Sequence, residues 1–305
     1  MVSHRRSVVS SDRQLLADFA APGVFTTLDG DAAALADAAP DDVAGVVRLV
    51  QGLLIHEGLT GLYGVTAPPE RGGEKQLHGA AAMLRQAARL DPRPLDSPRA
   101  PEHRVIGVCR HFATLFVAIM RCKGVSARAR CGFATYFAAG KRLDHWVGEY
   151  WDAAAGRWVL VDAQVDEAQH GYFKLELDTL DVPRDRFLVG GDAWRACRNG
   201  ADPMTFGVAG TPMWGLVEVY GDLFQDLAAL QKIELLPWGW YGLAKDERGM
   251  AETGLIDRLA AISSRADAEA VAELREVLAG DVRLRVPDEA VTAALAADAA
   301  ATAAQ

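Results

Sequence analysis

The most apolar stretch of the chain predicts one buried helix. The segment FATLFVAIM (residues 112–120) has no charged side chain on any face, and a helix that is apolar all round is buried rather than laid on a surface. Arg121 and Lys123 fall in its last turn and Gly124 follows, which is typical of a helix C-terminus. Cys109 therefore lies at the N-terminal end, among backbone N–H groups that have no partner within the helix.

Alternation of apolar and polar residues predicts strands after this helix. Residues 127–137 alternate with the period of two that is typical of a strand. Two further strands are predicted over residues 145–151 and 156–162, joined by residues 152–155. Because a four-residue loop is an ordinary hairpin length, we expect the last two strands to form an antiparallel pair.

The register of this hairpin decides whether two polar side chains meet. If Trp151 pairs with Gly156, His145 lies directly opposite Asp162, with Cβ atoms about 4.5–5.5 Å apart. A slip of one residue would send the two side chains to opposite faces of the sheet. Loop length and parity therefore predict that His145 and Asp162 contact each other.

Outside this segment the pattern is mainly helical. Helices are predicted over four further stretches: residues 42–58, 74–90, 192–198 and 216–232. We expect residues 1–12 to form a flexible tail and residues 13–250 to form one large domain, with its core at residues 107–162. Residues 251–305 are predicted to form a helical appendage that ends in an alanine-rich tail.

Composition and charge exclude several classes of function. At 305 residues and 50% hydrophobic composition, the chain can bury a sizeable core. The formal net charge is −9, with no basic run near the predicted hairpin, which argues against nucleic-acid binding. No uninterrupted apolar stretch reaches the roughly 18 residues of a spanning helix, and the N-terminus lacks the apolar segment of a secretory signal. Because four cysteines suit a reducing compartment, we expect a cytoplasmic protein, and the arginine- and alanine-rich composition favours a bacterial source.

Cys109, His145 and Asp162 supply the three groups of a nucleophilic site. A thiol at a helix start can be the nucleophile, an imidazole its base, and a carboxylate the group that orients the base. The helix dipole contributes only about 0.3–1 kcal/mol toward ionising the thiol. Activation of Cys109 therefore requires the histidine as well.

These residues lie in motifs that resemble the transglutaminase-like superfamily of cysteine enzymes. The matching stretches are GVCRHFA, RCKGVSARARCGF, DHWVGEY and RWVLVDAQ. The resemblance implies an α+β, papain-like core in which a buried helix that carries the cysteine packs on an antiparallel sheet. It also implies that Cys109 forms a thioester acyl-enzyme, that His145 is its base, and that Asp162 orients the histidine.

One position departs from the pattern of the family. Many members carry an aromatic side chain, often tryptophan, upstream of the cysteine as an oxyanion donor, whereas the first tryptophan here is Trp146. The upstream candidates are Tyr63, Gln51 and His56, and spacing selects none of them. The backbone N–H of Cys109 is therefore the only oxyanion donor that the sequence predicts. The loss of one such donor typically costs about 10²–10³ in rate.

Other reactive or charged residues are assigned structural roles. The remaining cysteines are expected to be small buried hydrophobes: Cys122, Cys131 and Cys197. The cysteine spacing is not that of a zinc site, so no metal is predicted; the alternative is that His145 and Glu149 ligate a metal from one strand face. Arg128 and Arg130 share a strand face, which we predict to be solvated rather than to bind a carboxylate.

The sequence predicts a cysteine-dependent acyl-transfer enzyme that needs no cofactor. Its expected partner is an amide or ester acyl donor, which is a peptide or a small molecule. The acyl group passes either to water, as in an amidase or peptidase, or to an amine, as in an amide-forming transferase. The alternative from a different class is a non-catalytic module that binds peptides through the same fold.

Overall fold

A computed structural model describes the backbone of residues 2–303 and the side chains of residues 11–302. The helices are α1 Val2–Ala20, α2 Gly30–Asp37, α3 Val43–Leu53, α4 Ala80–Leu90, α5 Cys109–Cys122, α6 Glu167–Phe173, α7 Gly190–Arg198, α8 Leu216–Ala229, α9 Thr253–Arg265, α10 Ala268–Gly280 and α11 Asp288–Ala303. The strands are β1 Leu54–His56, β2 Val105–Gly107, β3 Ala127–Ala134, β4 Arg142–Asp152, β5 Arg157–Val161, β6 Phe187–Val189 and β7 Phe206–Gly207. Most side chains of residues 1–12 lie outside this described part. The flexible tail predicted there stays a prediction.

Helix α5 is the centre of the fold. Every side chain from Cys109 to Arg121 is buried, because β3, β4 and α3 pack against it. The close approach of α5 to β4 requires Gly148, since a Cβ atom at this position would lie 2.3 Å from Cδ1 of Phe116. The predicted buried helix is confirmed.

The main sheet is antiparallel. Its strand order is β5-β4-β3-β6, and the short β7 pairs in parallel with β4. A separate parallel pair, β1 with β2, places His56 opposite Gly107, two residues before Cys109. A buried helix packed on an antiparallel sheet confirms the predicted α+β class.

The register predicted for the β4–β5 hairpin is wrong by two residues. The observed partners are Asp152 with Arg157 and Gly148 with Val161. Gly156 lies in the turn rather than opposite Trp151, because its φ of +63° is left-handed and the Asp152 carboxylate accepts hydrogen bonds from the first N–H groups of the turn. A two-residue displacement keeps the parity of the pairing, so the side chains stay on their predicted face.

One predicted helix ends early because its last residues join a strand. The helix expected over residues 42–58 ends at Leu53, where residues 54–56 begin to pair with residues 105–107. The helices predicted over residues 192–198 and 216–232 correspond closely to α7 and α8. Within the described backbone, no helix combines the length and hydropathy that a membrane span requires.

The C-terminal helices pack against the rest of the chain. The carboxylate of Asp298 in α11 accepts hydrogen bonds from the N–H groups of His78 at 2.8 Å and Gly79 at 2.6 Å. Helix α4 begins directly after these residues, at Ala80 instead of the predicted residue 74. One apolar cluster includes side chains of α1, α8, α9 and α10. The division into residues 13–250 and 251–305 stays a prediction.

Arg128 and Arg130 form a buried ionic network, so the prediction of a solvated face is wrong. Arg130 donates two hydrogen bonds to the Asp226 carboxylate of α8, both at 2.9 Å. The Glu149 carboxylate accepts from Arg128 at 2.6 Å and from Arg130 at 3.3 Å, and it also pairs with Arg184. Because arginines occupy both oxygens of Glu149, this residue is not available for the metal site considered with His145.

We predict that Asp226→Asn destabilises the protein by about 3–5 kcal/mol, because removing one partner of a buried ion pair leaves an uncompensated charge. The control is Asp181→Asn, whose carboxylate pairs with the exposed Arg157 and should cost less than about 1 kcal/mol. Urea unfolding of both variants measures the two free energies. Equal losses would contradict the structural role assigned to Asp226.

Candidate active site

Cys109 is placed against the strand that carries the predicted base. It is the first residue of α5 and is 6% exposed. The backbone N–H groups of Arg110 and Trp146 hydrogen-bond its sulfur. Since Trp146 directly follows His145, the structure brings the thiol to the segment of β4 that carries the histidine.

His145 and Asp162 are joined by a buried hydrogen bond. Nε2 of His145 lies 2.9 Å from Oδ2 of Asp162, and the two residues are 3% and 0% exposed. Asp162 follows the last residue of β5 and lies diagonally across from His145 instead of directly opposite. The predicted contact is present because the two side chains lie on the same face of the sheet and are long enough to meet between diagonal cross-strand positions.

The Asp162 carboxylate accepts three hydrogen bonds. Besides His145, the Tyr136 hydroxyl donates to Oδ2 at 2.7 Å, and the N–H of Gln164 donates to Oδ1 at 3.1 Å. Burial alone would raise the pKa of Asp162, but the charge of His145 and these hydrogen bonds hold it below its ordinary value. Asp162 is therefore an ionised acceptor that is fixed in orientation.

This hydrogen bond determines the tautomer of the histidine. An ionised carboxylate has no proton to donate, so Nε2 of His145 must carry the hydrogen. In the neutral ring Nδ1 is then a bare acceptor. The ring packs edge-on against Phe137, with centroids 4.9 Å apart. When the ring is neutral, this position therefore leaves Nδ1 available to accept a proton.

Burial is the largest influence on the pKa of the Cys109 thiol. Burial raises its pKa well above the ordinary value, and the Asp144 carboxyl raises it further. The N–H groups of Trp146 and Arg110 lower it, but burial dominates. The arrangement therefore favours proton transfer to the base during nucleophilic attack over a thiolate formed in advance.

The three upstream candidates for an oxyanion donor differ in their contacts. The Tyr63 hydroxyl donates to Asp166 at 2.9 Å, and the Gln51 amide donates to the carbonyl of Val165 at 2.9 Å. His56 interacts electrostatically with His145 and Asp162.

His56 is held as a neutral donor. Its Nδ1 accepts a hydrogen bond from the N–H of Gly58 at 3.1 Å, so the ring proton is on Nε2. Burial first, and then the neighbouring His145, lowers the pKa of His56 to about 4. At neutral pH the ring therefore has one N–H group to donate and no charge.

A tyrosine and two aspartates near this site could not be predicted from the sequence. Tyr136 lies within the alternating segment that continues from β3, and nothing in that pattern marks its hydroxyl as a partner of Asp162. Asp144 precedes the histidine, and Asp222 of α8 is close to Asp144 in space. Because Asp144 and Asp222 are far apart in the chain, no motif spacing could have predicted that they lie close together.

Comparison with known proteins assigns a family to part of the chain. Residues 74–163 match the model of the Transglutaminase-like superfamily. No curated protein matches the chain significantly.

Two solved structures are similar to this chain over limited regions. A protein from Cytophaga hutchinsonii, provisionally described as a cysteine protease, is 17% identical, with 56% of this chain and 44% of that chain covered and a TM-score of 0.32. The red sea bream transglutaminase is 15% identical, with 45% of this chain and 26% of that chain covered and a TM-score of 0.31. The chain thus spans less than half of the length of either structure.

Proposed function

We propose that the protein is a cysteine-dependent acyl-transfer enzyme, and the match of residues 74–163 to the model of the Transglutaminase-like superfamily supports this proposal. Cys109 is the nucleophile, His145 the general base and Asp162 the residue that orients the base. The observation that carries the proposal is the buried 2.9 Å hydrogen bond between His145 and Asp162. It lies beside Trp146, whose N–H contacts the sulfur of Cys109. The substrate class is an amide or ester of a peptide or a small molecule.

The chemistry runs through a thioester. Nδ1 of His145 accepts the thiol proton as the Cys109 sulfur attacks the carbonyl carbon, forming a C–S bond. The tetrahedral intermediate collapses by breaking the C–N or C–O bond, and His145 returns the proton to the leaving group. Water or an amine then attacks the thioester, with His145 accepting its proton, and the thiol is restored. Asp162 stays ionised and stabilises the imidazolium that forms.

Two donors of this chain are available to the oxyanion. Cys109 is the first helical residue, so its N–H has no intrahelical acceptor. We propose Nε2–H of His56 as the second donor, because β1 ends at His56 beside Gly107 of β2, two residues before Cys109. A neutral imidazole donor stabilises a developing negative charge without being consumed as an acid.

We predict that an activated ester, p-nitrophenyl acetate, transfers one acetyl group to Cys109. Intact-mass and peptide mass spectrometry of the full chain after rapid acid quench would locate the adduct. Cys109→Ala should lose the adduct and the release of nitrophenolate while keeping the fold. The matched control is Cys197→Ala, a half-buried cysteine of α7, which should acylate like the unmodified protein.

The acylated protein can also be used to identify the acceptor of the acyl group. Adding primary amines to the acylated protein would yield amides if the site accepts amines, and free acid alone would identify a hydrolase. Acylation of Cys109→Ala at the unmodified rate would contradict the assigned nucleophile. A wild-type protein that never acylates and instead binds peptides would support the non-catalytic alternative.

We predict that His56→Phe lowers the acylation rate of Cys109 by about 10²–10³, because one oxyanion donor is lost. His56→Gln keeps an N–H donor and should lose less. The control is Tyr63→Phe, since the Tyr63 hydroxyl donates to Asp166 rather than to the site. Stopped-flow acylation of the three variants, with urea unfolding to check their stability, measures the effect. Equal rates for His56→Phe and Tyr63→Phe would remove His56 from the mechanism.

A further inference from the structure

Three side chains from three separate elements converge beside the candidate active site. Cys131 lies on β3, Asp144 on β4 and Asp222 on α8. One ligand atom from each, the cysteine sulfur and a carboxylate oxygen from either aspartate, lies within 4.8 Å of the other two. Cys131 is the strand partner of Trp146 and Asp144 directly precedes His145, so this group is adjacent to the triad but shares no residue with it.

The carboxyl groups of this cluster are incompletely satisfied. Oδ1 of Asp144 and Oδ2 of Asp222 are buried and have no hydrogen-bond partner among the described residues. Cys131 is fully buried and Asp222 is only 9% exposed. A buried carboxyl oxygen without a partner is costly, so native structures normally provide a partner such as a bound ion.

The local charge favours a cation. The carboxyls of Asp144 and Glu218 lie near that of Asp222, so three acidic groups share this part of the protein. One helical turn further along α8, Asp226 is fully buried, but its two oxygens are paired with Arg130. Helix α8 thus carries two buried aspartate carboxyl groups. Asp226 is paired with an arginine, whereas Asp222 has no arginine contact among the described residues.

We propose that Cys131, Asp144 and Asp222 bind a divalent transition-metal cation of the zinc type. A thiolate among the ligands selects such an ion over Mg²⁺ and Ca²⁺, which take oxygen ligands. Zn–S and Zn–O distances are about 2.3 and 2.1 Å, so ligand atoms that lie within 4.8 Å of one another would need to approach to roughly 3.5 Å. Three protein ligands leave a fourth position for an exchangeable ligand. Asp144 is partly exposed, whereas Cys131 and Asp222 are buried.

The site is tested by titrating Co²⁺ into the chelator-treated full-length Cys109→Ala protein, in which the nucleophile cannot act as a ligand. We expect one equivalent of Co²⁺ to bind with a thiolate-to-metal charge-transfer band in the near ultraviolet. Zn²⁺ should displace it, and Mg²⁺ should not. Adding Cys131→Ala should abolish the band, whereas adding the control Cys197→Ala should leave it unchanged.

A second variant protects the test against misfolding. Asp222→Asn keeps the side-chain shape but removes a charged ligand, and it should weaken Co²⁺ binding at least tenfold. A charge-transfer band that persists in Cys131→Ala, or equal affinity in Asp222→Asn, would overturn the proposal. So would the absence of stoichiometric binding to the Cys109→Ala protein. Because every readout is binding to a protein without the nucleophile, the result is independent of the proposed acyl transfer.

Discussion

The buried hydrogen bond between Asp162 and His145 is the interaction on which the candidate site depends. A fully buried carboxylate is costly unless it is hydrogen-bonded, and Asp162 meets this demand with His145, Tyr136 and the N–H of Gln164. These contacts keep the carboxylate ionised, and the ionised carboxylate fixes the proton of His145 on Nε2. In the proposed mechanism, the free Nδ1 serves as the base for a thiol whose own pKa is raised by burial.

The sheet that holds this pair is stabilised by a second set of buried charges. Arg130 and Asp226 connect β3 to α8, and Arg128 and Glu149 connect β3 to β4. Asp222 lies on the same helix, has no arginine partner among the described residues, and adjoins Cys131 and Asp144. Pairing of the first carboxylate therefore contributes to structure, whereas the second retains the capacity to bind a ligand.

Local patterns predicted the parts of the site that depend on local physics. The uncharged segment gave α5, and strand parity placed His145 and Asp162 on one face. The exact register depended on the turn. The hydrogen bonds of the Asp152 carboxylate and the left-handed φ of Gly156 shift the four-residue loop from the predicted residues 152–155 to residues 153–156. Burial of Arg130 could not be predicted, because its partner Asp226 is 96 residues away in the chain. A comparable distance in sequence hid the association of Asp222 with Cys131.

The central claim is that Asp162 holds His145 as the base for Cys109, and the tautomer of His145 tests it most directly. Long-range ¹H–¹⁵N correlation of protein labelled at histidine, assigned by the loss of signals in His145→Gln, reports which ring nitrogen carries the proton. The account predicts a proton on Nε2 and a bare Nδ1 at neutral pH, with this preference lost in Asp162→Asn. A proton on Nδ1 in the unmodified protein would contradict the account, because that ring could not accept the thiol proton from Cys109.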